Sequence, residues 1–157
     1  LIDVAVAYTD VRGALGQAMI TQKWAQWMGP NPTQKVALVL APVQSVTAIK
    51  YYDVDGALQT DTLTNYQTFG TDFTSTVGPK DGFSWPVTQN RSDAIRIEYE
   101  IGFGDAIADV PQSIRHALML LVGHWYDNRE QSQPDKLQDI PYGFEELMNI
   151  SRVSWYG

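Results

Sequence analysis

The chain has 157 residues, 44% of them hydrophobic and 18% charged, which suits one soluble domain around a single core. Its formal charge of −7, with eleven Lys and Arg scattered along the chain, argues against a protein that grips nucleic acid, because phosphate contacts need clustered cations. With zero cysteines, disulfides and thiolate metal sites are excluded, and no apolar run approaches the ~18 residues of a membrane-spanning helix, so no membrane partner is expected and synthesis in the cytoplasm is.

Leu1, Val4, Tyr8, Val11 and Leu15 recur every three or four residues and predict a helix, weakened and ended near Gly13 and Gly16. The sequence opens on Leu1 inside this pattern, so further helical residues are expected before it. From Ile20 to Met28 the pattern alternates (Ile20, Gln22, Trp24, Gln26, Met28) and reads as a strand. After the Gly29-Pro30-Asn31-Pro32 turn, Lys35 to Ala41 and Ser45 to Tyr52 read as two strands separated by Pro42. Asp53-Val54-Asp55-Gly56 supplies a tight turn, and Ala57 to Thr60 the returning arm.

From Asp61 to Asn90 only Asn65 to Phe69 suggests a strand; the rest, rich in Thr, Ser, Gly and Pro, predicts a long surface excursion. In Ala94 to Ile101 the residues Ile95, Ile97, Tyr99 and Ile101 point one way, and Arg96, Glu98 and Glu100 the other, which predicts a strand with one buried and one wet face. Asp109-Val110-Pro111 then opens a helix running to about Glu130, with Ile114, Ala117, Leu118, Leu121, Val122 and Trp125 at helical spacing. Asp109 is expected to favour its positive end. A polar loop and a second short helix follow. The expectation is a single α+β domain over 1–157, with central antiparallel strands in a strand-rich region 20–101, an N-terminal helix, and helices and a tail in 110–157.

The candidate chemistry is thin. His116 and His124 are the two histidines, separated on one helix by about 80° and ~12 Å of rise, too far to share a metal ion. Glu98 and Glu100 share a strand face at ~7 Å, a carboxylate spacing used by glycoside hydrolases, but alternation alone produces such exposed pairs. Asp53, Asp55 and Gly56 open like a calcium loop without its later Glu, since Thr64 stands near that place, and a hairpin turn is the better reading. Gly102-Phe103-Gly104 lacks the third glycine and the Lys of a phosphate loop, with Asp105 and Asp109 at the helix entrance, and reads as a strand-to-helix bend. No Gly-x-Ser-x-Gly occurs, and Ser113 near His116 has no third member. Neither a catalytic residue nor a cofactor or metal is therefore assigned. Of the tryptophans, Trp24 and Trp125 fit apolar stripes, whereas Trp85 and Trp155 are expected to be exposed and to anchor a protein interface.

Val110-Pro111, His124-Trp125-Tyr126, Asn128-Arg129-Glu130, Pro141-Tyr142-Gly143 and Arg152-Val153 occur in the order seen in the C-terminal region of one family. Upstream, Ala18-Met19-Ile20-Thr21-Gln22-Lys23-Trp24, Pro42-Val43-Gln44-Ser45-Val46 and Tyr51-Tyr52-Asp53-Val54-Asp55-Gly56 match it as well. Over nearly its whole length the chain thus resembles the head-tail connector (adaptor, or head-completion) proteins of long-tailed bacteriophages and gene transfer agents.

The resemblance implies a non-enzymatic virion protein located at the head-tail interface, forming a homo-oligomeric ring, commonly of twelve subunits, between the portal protein and a tail-side stopper or tail-completion protein. DNA would pass through the ring's lumen without specific binding. The helix Pro111 to Glu130 would be the ring scaffold, and the excursion Thr71 to Asn90 and tail Ser151 to Gly157 would reach neighbouring proteins. Trp85, Arg129, Tyr142, Phe144, Arg152, Trp155 and Tyr156 are the expected interface residues. Two other readings stand beside it: a carbohydrate- or receptor-binding module of a phage particle using exposed tryptophans, and a small hydrolase using Glu98 and Glu100.

Overall fold

The computed structural model describes residues 1–32, 35–70, 74–127 and 142–151. They form an α+β fold: helix α1 (Ile2–Thr9), strands β1 (Gln22–Met28), β2 (Val36–Leu38), β3 (Val43–Tyr52), β4 (Leu58–Thr60), β5 (Tyr66–Gly70), β6 (Ser75–Pro79) and β7 (Ile95–Ile101), then helices α2 (Gln112–Asp127) and α3 (Tyr142–Ser151). The strands make two antiparallel sheets, ordered β1-β7-β3-β4 and β2-β6-β5.

Strand β7 lies between β1 and β3, and its strict alternation buries Ile95, Ile97, Tyr99 and Ile101. These residues pack with Ile49 of β3, Leu38 of β2, Val77 of β6 and Tyr66 of β5, so both sheets share one core. β3 stays in register with β7 only by two irregularities, between Val43 and Ser45 and between Val46 and Ala48; such bulges bend a strand and increase its twist. The sheets are also tied by Gln26 of β1, whose Nε2 donates to the Ala37 carbonyl at 3.0 Å and whose Oε1 accepts the Val39 N–H at 3.1 Å.

A second core gathers the helices. Ile114, Ala117 and Leu121 form the buried stripe of α2, at the spacing that puts them on one face. They meet Ala5 of α1, Leu15 and Met19 of the following segment, and Phe144 and Met148 of α3. Tyr8 bridges the helices, its ring 6.1 Å from Trp125 edge-on and 6.4 Å from Phe144.

Several expectations need correction. Helix α1 ends at Thr9, four residues short of Gly13, because the chain folds back on its own end: the N–H groups of Ala14 and Leu15 donate to the Tyr8 and Thr9 carbonyls. Asp10 fixes this return by accepting the Met19 N–H and the Gln22 side-chain amide. Gly13 is needed here for proximity, since a Cβ would lie 1.9 Å from the Tyr8 oxygen. The excursion of 61–90 is not a bare surface loop, because it carries β5 and β6 and sends Tyr66, Val77 and Trp85 into the core. Its low hydropathy hid a sheet of short strands in which three side chains carry most of the burial. Asp109 does not serve the N-terminus of α2; its carboxylate accepts the Ala106 N–H and closes a single helical turn at 107–109.

Candidate interaction surfaces

The outer face of the larger sheet is a ladder of ion pairs. Alternation places Lys23, Ala25 and Trp27 of β1, Arg96, Glu98 and Glu100 of β7, and Ala48 and Lys50 of β3 on this side. Glu98 faces Ala25 and Ala48 across the strands; the small neighbours leave room for Lys50 Nζ at 2.9 Å and Arg96 at 3.0 Å to converge on its carboxylate. Glu100 takes Lys23 Nζ at 3.6 Å and the Ser45 hydroxyl at 3.3 Å. Arg96 also lies over the Trp27 ring, 5.2 Å from its centroid. Each acid of the pair is thus matched by a cation on a face bearing the exposed Trp27 and Lys23, an arrangement for a solvated surface and not a cleft that would hold a sugar between two carboxylates.

The β3–β4 turn is closed by Asp53. One carboxylate oxygen accepts the N–H groups of Asp55 and Ala57, the other the Gln59 side-chain amide, and these bonds hold the acid below the usual aspartate range. Both Asp53 carboxylate oxygens are engaged inside the turn, as a hairpin needs, and among the described residues no group of three His, Asp or Glu could hold a metal ion. Beside this turn runs the segment 80–93, anchored by Gln89 N–H to the Tyr52 carbonyl and by Lys80 N–H to the Asn65 carbonyl. It alternates sides: Trp85 and Thr88 point inward, Phe83 and Val87 outward, at 53% and 73% exposure. With Val54 and Leu58 of the hairpin, they give this end of the molecule an apolar surface flecked with Asp53, Asp55 and Asp81.

The third surface is a groove of about 740 Å³ between α1 and α2, lined by Ile2, Val6, Ile107, Met119, Val122 and Tyr126. Met119 is 63% exposed and Ile107 72%, an uncovered apolar concentration larger than the scattered single residues normal on a surface. Arg115 and His116 are the ionisable side chains in its wall apart from Tyr126, and the Arg115 Nε–H is buried without an acceptor among the described residues. Sequence reasoning missed this groove. The signal was present as a second stripe on α2, Arg115, Met119, Val122 and Tyr126, beside the one that packs inward.

The expected interface residues fare unevenly. Trp85 is 8% exposed and packs on Tyr66 with ring centroids 5.1 Å apart at a tilt, so the exposure expected there is corrected: it is a core residue. Phe144 is 2% exposed and belongs to the helical core. Tyr142 opens α3, while Arg129, Arg152, Trp155 and Tyr156 lie outside the described residues. The Gly102 bend is as expected: the Gly102 N–H donates to Pro42, and a Cβ there would lie 2.6 Å from the Ile20 oxygen, so backbone approach and not phosphate explains the glycine.

No protein-family model matches the chain, and no curated protein matches it. Solved structures do. The fold is similar to a chain in the neck of an empty GTA particle computed with C6 symmetry, at TM-score 0.75 and 19% identity, covering 98% of this chain and 75% of that one. A chain from the neck of a native GTA particle computed with C12 symmetry gives 0.74 and 18%, covering 98% and 80%. A chain from the virion of a native gene transfer agent particle gives 0.75 and 20%, covering 98% and 75%. At such identity the likeness is one of fold.

Proposed function

We propose that the chain is a structural virion protein of the head-tail connector type, assembling as a ring between the portal and a tail-side stopper or tail-completion protein. The observation that carries this reading is that nearly the whole chain shares its fold with chains of particle necks, while its ordered sequence motifs independently resemble the same class of protein. Twelve subunits is the stoichiometry that the resemblance implies, and the site of action is the virion, after synthesis in the bacterial host.

The lumen of such a ring lets DNA pass without holding it. The charge of −7 supports this, as does the engagement of cations by the chain itself: Lys23, Lys50, Arg91 and Arg96 are in ion pairs, and Arg12 and Lys35 lie over aromatic rings. A wall of net negative charge repels phosphate, which helps sliding and hinders binding. No catalytic step is assigned.

Adding the purified chain to portal complexes tests the reading. The expected result in electron microscopy or native mass spectrometry is a symmetric, stoichiometric layer on the portal. Failure to bind any portal or tail component across a full set of virion proteins overturns it.

A further inference from the structure

We propose that the α1–α2 groove receives the Phe83–Val87 loop of a second copy of this chain. The inference rests on the ring reading above and names the two surfaces that would build the ring.

The groove specifies its occupant by chemistry. Its walls are apolar, and in a protein of charge −7 its ionic lining among the described residues is Arg115 and His116 with no carboxylate. A fitting occupant is therefore apolar, protruding and acidic. Another surface of the same chain has these properties: Phe83 and Val87 stand outward, and Asp81 and Asp55 are exposed on the same segment and the β3–β4 turn beside it. Arg91 of that surface is paired with Asp93 at 2.6 Å, which leaves Lys80 against Asp53, Asp55 and Asp81, so its balance of charge is negative.

The loop is also held ready. Trp85, between Phe83 and Val87, is locked against Tyr66, and the Gln89 and Lys80 N–H bonds pin the segment at both ends. Insertion then orders little that is not ordered already, which lowers the cost of association. Symmetry favours this pairing over its rival. Groove against groove would set Arg115 and His116 near their own copies and close as a dimer. Groove against loop joins two different surfaces and leaves one of each free on every pair, which is the condition for a ring.

The absence of cysteine makes the test direct. Met119→Cys and Val87→Cys each change an exposed side chain. In rings of the full chain assembled with portal, mild oxidation of the double variant should give a ladder of covalent oligomers on non-reducing gels. The two single variants mixed should stop at the dimer. Cross-linking of Met119→Cys alone means that groove meets groove and overturns the proposal. Rings that form without any cross-link between positions 87 and 119 overturn the surfaces while leaving the ring reading intact; failure to form rings at all overturns both. As a second measurement, Asp81→Arg and Arg115→Asp should each weaken association by about tenfold, and the double exchange should recover most of the loss. Additive loss without recovery rejects the facing of these two charges.

Discussion

Ile97 on β7 and Met119 on α2 are apolar side chains of similar size, yet the first is wholly buried and the second is mostly in solvent. The contrast extends to their surroundings. Every second residue of β7 enters a core closed by two sheets, and the remaining ones are matched in ion pairs on the outside. The helices close a core too, but α1 and α2 keep Ile2, Val6, Met119 and Tyr126 on the outside, and α1 presents Val4 as well. β7 has both its faces used within the single chain. At the groove the helical region leaves apolar surface that its own fold does not cover.

Breaking the comparison starts with the sheet core. Ile97→Ala should cost about 2–5 kcal/mol through lost burial and a cavity, read as a lower urea midpoint with unchanged slope. A cost under 1 kcal/mol would mean that the sheet core is not the closed unit described. Next is Gly13→Ala, which sets a methyl against the Tyr8 carbonyl and should cost about 2 kcal/mol, seen as loss of melting temperature together with loosening of α1 in hydrogen exchange. Trp125 packs only partly on the helical core, so Trp125→Ala should cost less than the ~3–5 kcal/mol of a fully buried aromatic, and a greater loss would show the helices to be as closed as the sheet.

A pH series sharpens the same contrast, because Tyr66 belongs to the sheet core. Burial, and then its hydrogen bond to Asp61, holds the Tyr66 hydroxyl well above the ordinary tyrosine value of 10.0. The folded state keeps the proton that the unfolded chain releases, so stability from this group is fully present below pH 10 and declines as pH rises above it. Tyr66→Phe should make the alkaline decline shallower; Tyr99, also raised by burial, keeps some of it. An unchanged profile would separate Tyr66 from the alkaline response. The smallest effect is expected at the groove: Met119→Ser should change monomer stability by no more than about 0.5 kcal/mol while reducing association. A large loss of stability there would mean that the groove is part of the core.

What could be read from the sequence follows the strength of periodicity. β7 was legible because four apolar residues alternate without interruption with three charged ones, and α2 because its inward stripe repeats at helical spacing from Ile114 to Trp125. The hairpin was legible from Asp53 and Gly56. β6 was hidden, since Ser75, Gly78 and Pro79 carry no strand signal and its second partner, β2, is distant in sequence. Trp85 was misplaced for the same reason: a tryptophan among Ser, Pro and Thr suggests exposure until Tyr66, nineteen residues earlier, is known to receive it. The groove requires two helices more than a hundred residues apart, so no local pattern announces it; the second stripe on α2 offered a hint without a partner.

The bridging amide of Gln26 bears on how such a molecule stays selective when crowded. Strand β2 is an edge, and an edge offers unpaired carbonyl and amide groups to any passing extended chain. Gln26 occupies the Ala37 carbonyl and the Val39 N–H, so a side chain does the work of a missing neighbouring strand. At this edge a passing strand finds those backbone groups already taken, and the encounters that persist there are dictated by side-chain shape and charge.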